Sequence, residues 1–167
     1  GSAKLILFGE HAVVYGTPAI VAGLDKGAHA TLTPSDHDSL AVFGARGASE
    51  PLFRIDAEHP PRDDRLVTAW RLVRETFGLS DERFEARIDV EVPLGAGLGS
   101  SAALSVALAR ALASHLDQAP IPKDDPRVTA AVAASEGAFH GKASGIDQAA
   151  AQFGGLFQFR RTDHGPE

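Results

Sequence analysis

The sequence predicts an α+β domain, a mixed and mainly antiparallel sheet packed with helices, and three segments carry this prediction. Residues 84–92 alternate strictly between apolar and charged side chains, which is typical of a strand with one solvated face. Four large apolar residues recur at helical spacing in the preceding segment: Leu66, Trp70, Val73 and Phe77. Residues 98–116 consist almost entirely of Ala, Leu, Val and Ser, which favours a buried central helix.

The first third of the chain predicts short strands. The apolar run of residues 5–8 ends at Gly9 and predicts a strand that is buried on both faces. Five further segments have strand-forming residues between turn residues: residues 13–15, 19–22, 28–32, 40–43 and 52–55. Because a stretch of Gly, Ala and Ser separates the last two, we expect them to pair as a hairpin.

Capping residues set the ends of the helices on either side of the central one. The first of these helices has Asp63 as its expected N-cap and Gly78 just past its last residue. The second is expected over residues 127–140, with Asp125 as the cap and Pro126 at the first helical position. Both helices are therefore bounded by residues that stabilise helix ends.

The rest of the chain fits a single domain. A Pro-rich linker follows the central helix at residues 119–126, and two glycines turn the chain into a last strand over residues 156–159. With 167 residues and 44% hydrophobic content, the chain is long enough for one buried core. We see no internal repeat and no low-complexity tract, so we expect one domain over residues 1–167.

Composition excludes several classes of function. A net charge of -6 argues against a nucleic-acid-binding face, which normally shows clustered Lys and Arg, and favours a small-molecule substrate. The chain has no cysteine, so disulfides, thiolate metal sites and a cysteine nucleophile are excluded. No apolar run is long enough to span a bilayer, and the first residues lack the layout of a signal peptide. We therefore expect no membrane partner and a cytoplasmic location.

The segment of residues 93–103 places three glycines where the predicted strand ends and the central helix begins. A backbone without Cβ atoms can approach a phosphate closely, and a helix N-terminus offers free N–H groups and a positive dipole end. Ser100 and Ser101 add hydroxyls that donate to phosphate oxygens or ligate Mg²⁺. The alternative is a tight turn without a ligand, but so many glycines cost chain entropy without adding packing. The predicted phosphate site comprises Pro93, Gly95, Ala96, Gly97, Leu98, Gly99, Ser100 and Ser101.

Two other phosphate-binding patterns do not fit this loop. A Walker A loop ends in Gly-Lys-Ser or Gly-Lys-Thr, and neither triplet occurs in the chain. A dinucleotide fingerprint needs a glycine at its sixth position, where counting from Gly95 gives Ser100. Its acidic partner would have to be Asp117, which lies beyond a long helix instead of at a strand end.

Three side chains outside the loop have the chemistry of a catalytic group. Glu136 and His140 are four residues apart and share a helix face, and Asp147 follows after a glycine-containing turn. Two carboxylates at these positions can divide two roles, one holding a metal and the other accepting a hydrogen bond from a hydroxyl. The alternative is a solvated helix face with an Asp that caps a short helix. His140 alone is more often a structural hydrogen-bonding residue.

Lys4 stands at the head of a strand that is expected to be buried. An ammonium there must either be paired or lie at the exposed end of the strand. Pairing with Asp147 would place a positive charge beside a reacting hydroxyl. The alternative is an ordinary exposed lysine at a chain terminus. Glu10 and His11, in the loop that follows, are candidates for binding a polar substrate.

Three segments in this order resemble the mevalonate kinase branch of the galactokinase, homoserine kinase, mevalonate kinase and phosphomevalonate kinase superfamily: residues 4–16, 93–103 and 136–155. Two strings carry the likeness to that branch: Gly9-Glu10-His11-Ala12-Val13-Val14-Tyr15-Gly16 and His140-Gly141-Lys142-Ala143-Ser144-Gly145-Ile146-Asp147. A galactokinase normally continues differently after its Gly-Glu-His. The resemblance implies the N-terminal domain fold of this superfamily, which is ribosomal protein S5 domain 2-like.

The resemblance also implies roles for the matching residues. Asp147 would be the catalytic base, with Lys4 beside it to activate the substrate hydroxyl, and the glycine loop would wrap the phosphates of ATP. Ser101 and Glu136 would ligate Mg²⁺. The implied reaction is ATP-dependent phosphorylation of mevalonate to 5-phosphomevalonate in isoprenoid precursor synthesis. Four residues would line the mevalonate pocket: Glu10, His11, Ser144 and Gly145.

The chain departs from the family pattern in three places. Gly1-Ser2-Ala3 stands where the family usually has Ala-Pro-Gly, and Ala143 stands where a proline is common. The family also continues into a second domain with another glycine-rich motif, so we expect this chain to be the N-terminal half, with an exposed apolar surface where the C-terminal half packs. That half would be a missing segment or another chain, and a homodimer stays open.

Two other functions stay open from the sequence alone. One is a sibling kinase that acts on a phosphorylated mevalonate or a sugar, which the same equipment would serve. The other is a truncated module that binds ATP without turnover. A substrate assay and the intact mass of the natural protein separate these possibilities.

Overall fold

The computed structural model describes residues 1–10, 12–62, 64–139, 145–162 and 165–166. Eight strands, four α-helices and one 3₁₀ helix (Ala12–Tyr15) occur in this part of the chain. The strands are β1 (Ser2–Phe8), β2 (Ala19–Pro34), β3 (Ser39–Phe43), β4 (Phe53–Asp56), β5 (Phe84–Val90), β6 (Leu156–Phe159), β7 (Arg161–Thr162) and β8 (Gly165–Pro166). The helices are α1 (Arg65–Thr76), α2 (Ser100–Asp117), α3 (Pro126–Phe139) and α4 (Ile146–Phe153).

The main sheet is mixed, as the sequence predicts. Its strand order is β1-β2-β5-β3-β4, with β6 also paired to β2. Strand β2 pairs antiparallel with β1, β5 and β6, and β3 pairs antiparallel with β4. The pairing of β3 with β5 is parallel. The prediction of a mixed, mainly antiparallel sheet with helices is confirmed, and so is the hairpin of β3 and β4.

Strand β2 differs from the expected two short strands, because it runs without interruption through Ala19–Pro34. Gly23 and Gly27 suggested a break, but a Cβ on Gly23 would lie 2.5 Å from the Cα of Gly154. A Cβ on Gly27 would lie 2.1 Å from the carbonyl oxygen of Gly1. The two glycines therefore allow neighbouring backbones to approach the strand closely instead of ending it.

The segment before β2 is a second correction, since Val13 and Tyr15 lie in a 3₁₀ helix and not in a strand. The N–H of Val13 donates to the carbonyl oxygen of Gly9 at 2.9 Å, and that of Gly16 donates to Val13 at 3.1 Å. Gly9 adopts a φ of +88°, which turns the chain into this helix as soon as β1 ends.

The helices lie close to the predicted bounds. The cap of α1 is Asp64, whose carboxylate accepts from the N–H groups of Leu66 and Val67, whereas the expected cap, Asp63, lies outside the described residues. Asp125 precedes α3 and accepts from the N–H of Arg127 at 2.8 Å, as predicted. The short helix α4 was not predicted as an element, and its cap is Gly145. Within the described ranges, no helix is both long enough and apolar enough to cross a membrane.

Helix α2 packs on β2 and contacts the other three helices, and α4 also contacts β1 and β2. Two clusters of buried apolar side chains result. The larger one surrounds α2, β5 and Trp70. The smaller one lies beneath β1 and β6, and its buried members are Val13, Ala19, Val21, Ile146, Ala150 and Phe159. Strand β2 contributes residues to both clusters.

Strand β1 is buried on one face only, which corrects the prediction of a strand covered on both faces. Leu5 is 46% exposed and Phe8 is 71% exposed, because β1 is an edge strand whose outer face is not covered by a helix in the described part of the chain. The register aligns Leu5 with Ala22, and Ala22 with the exposed Leu156 of β6. Leu5, Phe8 and Leu156 are therefore exposed apolar side chains on this outer face.

Candidate active site

The glycine-rich loop connects the end of β5 to the start of α2. Residues 93–97 are exposed, whereas Gly99 is buried at the base of the loop. Gly95, Gly97 and Gly99 adopt φ values of +75°, +76° and +69°. Side chains with a Cβ rarely adopt this left-handed conformation, so the alternation of glycine with other residues is what lets the loop fold back on itself.

The loop ends where the positive end of a long helix dipole begins. Gly99 is the N-cap of α2: its carbonyl oxygen accepts from the N–H of Ala103 at 3.0 Å, and it has no side chain to cap the first N–H groups. Helix α2 is 18 residues long and most of its side chains are buried, which holds its axis in place. An exposed glycine loop on a fixed helix N-terminus is an arrangement that binds phosphate groups.

Lys4 reaches the base of this loop from β1. Its backbone N–H donates to the carbonyl oxygen of Leu98 at 2.8 Å. Its side chain is buried, and its Nζ lies 3.2 Å from Oδ1 of Asp147 in the first turn of α4. The structure thus brings together a lysine and a carboxylate from opposite ends of the sequence, directly beneath the loop. The sequence predicts this pairing as one of two alternatives for Lys4.

Glu136 adds a second carboxylate to the site. It lies on α3, is 7% exposed, and its pKa is raised to about 7, first by burial and second by the negative charge of Asp147. Because the charge of Asp147 opposes the ionisation of Glu136, a divalent cation beside Glu136 would stabilise its charged form. Ser101, the other predicted metal ligand, lies in the first turn of α2.

The residues predicted to bind the substrate are described only in part. Glu10 is exposed immediately after β1, and Gly145 is the cap of α4 with a φ of +82°. His11, His140 and Ser144 lie outside the described residues. Asp147 is in the first turn of α4 but is not its cap, and its carboxylate pairs with Lys4.

Two contacts of the site were not predicted from the sequence. They are the hydrogen bond from Lys4 to the Leu98 carbonyl and the contact between the Lys4 side chain and Gly99. Both join residues that are far apart in the chain, so no local pattern indicates them. Nothing in the sequence distinguishes the three loop glycines, but in the structure Gly99 is buried whereas Gly95 and Gly97 are exposed.

Two other features contain none of the predicted site residues. A cavity of about 520 Å³ opens between β2 and α2, next to His29 and Arg110. Asp56, Glu58 and His59 place three potential metal-ligating atoms within 4.8 Å of one another, but all three residues are exposed. A hydrogen bond of 3.0 Å from the ring of His59 to Asp56 accounts for part of this group.

A known protein family matches more than half of the chain. The family described as "GHMP kinases N terminal domain" matches residues 64–155, which include the glycine loop, Glu136 and Asp147. Among curated proteins, the mevalonate kinase of Methanothermobacter thermautotrophicus is 48% identical over 50 residues. That stretch is 29% of this chain and 16% of the relative.

Solved structures support the same fold. The L. major mevalonate kinase in complex with R-mevalonate has a TM-score of 0.75 and 32% identity, covering 100% of this chain and 49% of that one. The Methanococcus jannaschii mevalonate kinase has a TM-score of 0.71 and 21% identity, covering 95% of this chain and 51% of that one. At 21% identity, the likeness to the Methanococcus jannaschii enzyme shows the fold alone. The chain spans about half the length of both solved kinases.

Proposed function

The chain belongs to the GHMP kinase family, and from this membership we propose that it is the nucleotide- and substrate-binding half of an ATP-dependent kinase whose acceptor is the hydroxyl group of mevalonate. The observation that carries the proposal is the Lys4–Asp147 ion pair of 3.2 Å beneath the glycine loop. A base and a positive charge at the edge of a phosphate-binding loop are the groups that transfer of a phosphoryl group to an alcohol requires.

Asp147 and Lys4 act on the acceptor hydroxyl. Asp147 accepts the hydroxyl proton while the oxygen forms its bond to the γ-phosphorus, and the bond from that phosphorus to the bridging oxygen of ADP breaks. The ammonium of Lys4 stabilises the negative charge that develops on the attacking oxygen. Because Lys4 is buried and Asp147 is only partly exposed, water weakens this interaction less than it would at a surface.

The loop and α2 hold the nucleotide. The backbone of residues 95–101 surrounds the phosphates of ATP, and the N-terminus of α2 is directed at their negative charge. Ser101 and Glu136 would hold Mg²⁺, because their hydroxyl and carboxylate oxygens match the preference of this ion for oxygen ligands. When bound, Mg²⁺ neutralises charge on the phosphates. Glu136 must be ionised to ligate the ion, so its raised pKa links metal binding to proton release.

Mevalonate is the proposed acceptor for two reasons. The L. major enzyme, with 32% identity and full coverage of this chain, is described as a mevalonate kinase in complex with R-mevalonate. The two strings that resemble this branch of the family contain Glu10, six residues after Lys4, and Gly145, two residues before Asp147. Glu10, His11, Ser144 and Gly145 are the residues proposed to contact the carboxylate and hydroxyls of the substrate.

The test is an assay for 5-phosphomevalonate with ATP, Mg²⁺ and mevalonate. The chain is assayed alone and mixed with the C-terminal half of a mevalonate kinase, because it spans about half the length of its solved relatives. We expect product in the mixture, loss of product in Asp147→Ala, and normal product in the control Asp124→Ala, an exposed aspartate outside the site. Full activity of Asp147→Ala contradicts the proposal.

The same assay separates the alternatives. A panel containing mevalonate, 5-phosphomevalonate and galactose identifies a sibling kinase if one of the other acceptors is used in preference. Binding of ATP without turnover of any acceptor, in the presence of the C-terminal half, indicates a nucleotide-binding module. Both results would overturn the assignment of mevalonate as the acceptor.

A further inference from the structure

The three glycines of the phosphate loop share one backbone conformation but have different surroundings. Their φ values are all between +69° and +76°, so an added side chain would strain each of them in the same way. A Cβ on Gly95 or Gly97 would meet no described atom within 4 Å. A Cβ on Gly99 would lie 2.8 Å from Cγ of Lys4, 3.5 Å from its Cε and 3.7 Å from its Cδ.

The contact at Gly99 involves the middle of the Lys4 side chain and not its free end. The Cγ of Lys4 is close to the backbone, and that backbone is fixed by the 2.8 Å hydrogen bond to Leu98. At its other end the side chain is fixed by the 3.2 Å contact of Nζ with Asp147. A side chain held at both ends can avoid a new Cβ only by a change of rotamer, which would move Nζ away from Asp147.

We propose that Gly99 is a positioning residue for Lys4, because its lack of a side chain lets the loop close on the lysine stem and hold the ammonium at Asp147. This role is distinct from contact with a phosphate. It deepens the proposed function and depends on it for the link to catalysis, whereas the packing of Gly99 on Lys4 stands without it. Gly95 and Gly97 then allow the backbone conformation of the exposed loop, and Gly99 in addition leaves room for the Lys4 side chain that forms the ion pair.

A double-mutant cycle tests the contact without any assay of activity. Gly99→Ala is measured in the parent chain and in Lys4→Ala, which lacks Cγ, Cδ and Cε, by the equilibrium constant of unfolding in urea. The control is Gly97→Ala in both backgrounds, because it has the same left-handed φ and open space. In the parent chain, we expect Gly99→Ala to increase the unfolding constant at least tenfold more than Gly97→Ala does. In the Lys4→Ala background, we expect the two glycine substitutions to increase it by the same factor.

Crystal structures of the two alanine variants give a second measurement that does not depend on Lys4→Ala. We expect the distance from Lys4 Nζ to Asp147 to exceed 4 Å in Gly99→Ala and to stay near its present value in Gly97→Ala. Three outcomes would each overturn the inference. They are an equal loss of stability on Gly99→Ala in the parent and in Lys4→Ala, an unchanged ion pair in Gly99→Ala, and failure of Gly99→Ala to fold even in the Lys4→Ala background.

Activity distinguishes this inference from the proposed function. If the reconstituted enzyme phosphorylates mevalonate, Gly99→Ala is expected to lower kcat as Lys4→Ala does, and the two changes together should lower it no further. Gly97→Ala should mainly raise KM for ATP. Coupling of Gly99 to Lys4 in a chain that phosphorylates nothing refutes the proposed function and leaves the contact intact. Activity without coupling refutes the inference alone.

Discussion

Among single residues, Asp147 is the proposed general base of the reaction, and its replacement gives the most direct prediction. Asp147→Asn keeps the shape of the side chain but cannot accept the hydroxyl proton and loses the charge that holds Lys4. General base catalysis typically contributes about 10²–10⁴-fold, so we expect kcat of the reconstituted enzyme to fall by about that factor. Steady-state kinetics measure the loss, and Asp124→Asn, with activity near that of the parent, is the matched control.

Glu136 predicts a pH dependence of stability. Its pKa is about 7 in the folded chain and 4.5 in the unfolded chain, so the folded state binds more protons between these values. Stability is therefore fully present below about pH 4.5 and falls as the pH rises through 7, by about 3 kcal/mol at 1.36 kcal/mol per pKa unit. Urea unfolding of the parent and of Glu136→Gln from pH 4 to 8, without Mg²⁺, measures the difference.

The difference between these two curves isolates Glu136 from the other titrating groups. We expect the stability of Glu136→Gln relative to the parent to increase with pH over this range. If the free energies of unfolding of the two proteins change with pH in parallel, burial does not destabilise the ionised carboxylate of Glu136. Millimolar Mg²⁺ should reduce the fall in the parent and leave Glu136→Gln unchanged, because an ion held by the carboxylate replaces its proton.

Single residues also show how far the sequence predicts the site. The residue types and their order in the chain make Lys4, Glu136 and Asp147 candidates, and the resemblance to the kinase superfamily, more than the residues alone, favours their catalytic and metal-binding roles. The burial that raises the pKa of Glu136 and the packing of Gly99 on Lys4 depend on tertiary contacts. No spacing rule reports such contacts, so they become visible only in the folded chain.

At the level of helices and strands, the start of α1 gives a prediction about stability. The carboxylate of Asp64 accepts from the N–H of Leu66 at 2.9 Å and from that of Val67 at 3.0 Å. Asp64→Ala removes both acceptors, and loss of an N-cap costs about 1 kcal/mol. Thermal or urea unfolding should show this loss, whereas Asp81→Ala, an exposed aspartate outside the helices, should change stability by less than about 0.5 kcal/mol.

The elements differ in how well the sequence predicts them. Strict alternation over residues 84–92 and the apolar composition of residues 98–116 locate β5 and α2 to within two residues at each end. The sequence predicts two short strands where the structure has the single strand β2. Gly23 and Gly27 are residue types common in turns, and only the structure shows the neighbouring backbones that pack against them. The sequence indicates a short helix at Asp147 only as an alternative to a catalytic carboxylate, because eight residues are about two turns, too short to establish a helical period.

In the molecule as a whole, β2 joins the two buried clusters, so we expect them to unfold together. The single tryptophan, Trp70, lies in the larger cluster, whereas Val21 is buried in the smaller one. Val21→Ala removes two buried methyl groups and should cost about 2 kcal/mol. If the clusters unfold together, this loss appears in the fluorescence transition of Trp70.

The control for this experiment is Leu156→Ala on the outer face of β6, where the side chain is 70% exposed. It should leave the transition of Trp70 within about 0.5 kcal/mol of the parent. A shift in circular dichroism at Val21→Ala without a shift in Trp70 fluorescence would show that the two clusters unfold independently. Cooperative unfolding would mean that a lesion near the ion pair destabilises the whole domain.

The ion pair between β1 and α4 also has a consequence for the order of events during synthesis. Lys4 leaves the ribosome well before Asp147, so the elements from β2 to α3 are synthesised before the two residues can meet. Contacts of such long sequence separation form late, since closing the intervening chain costs entropy. A nascent chain can therefore complete the glycine loop and α2 while still lacking α4. In the proposed enzyme, the capacity to hold a nucleotide would arise before the capacity to activate an acceptor.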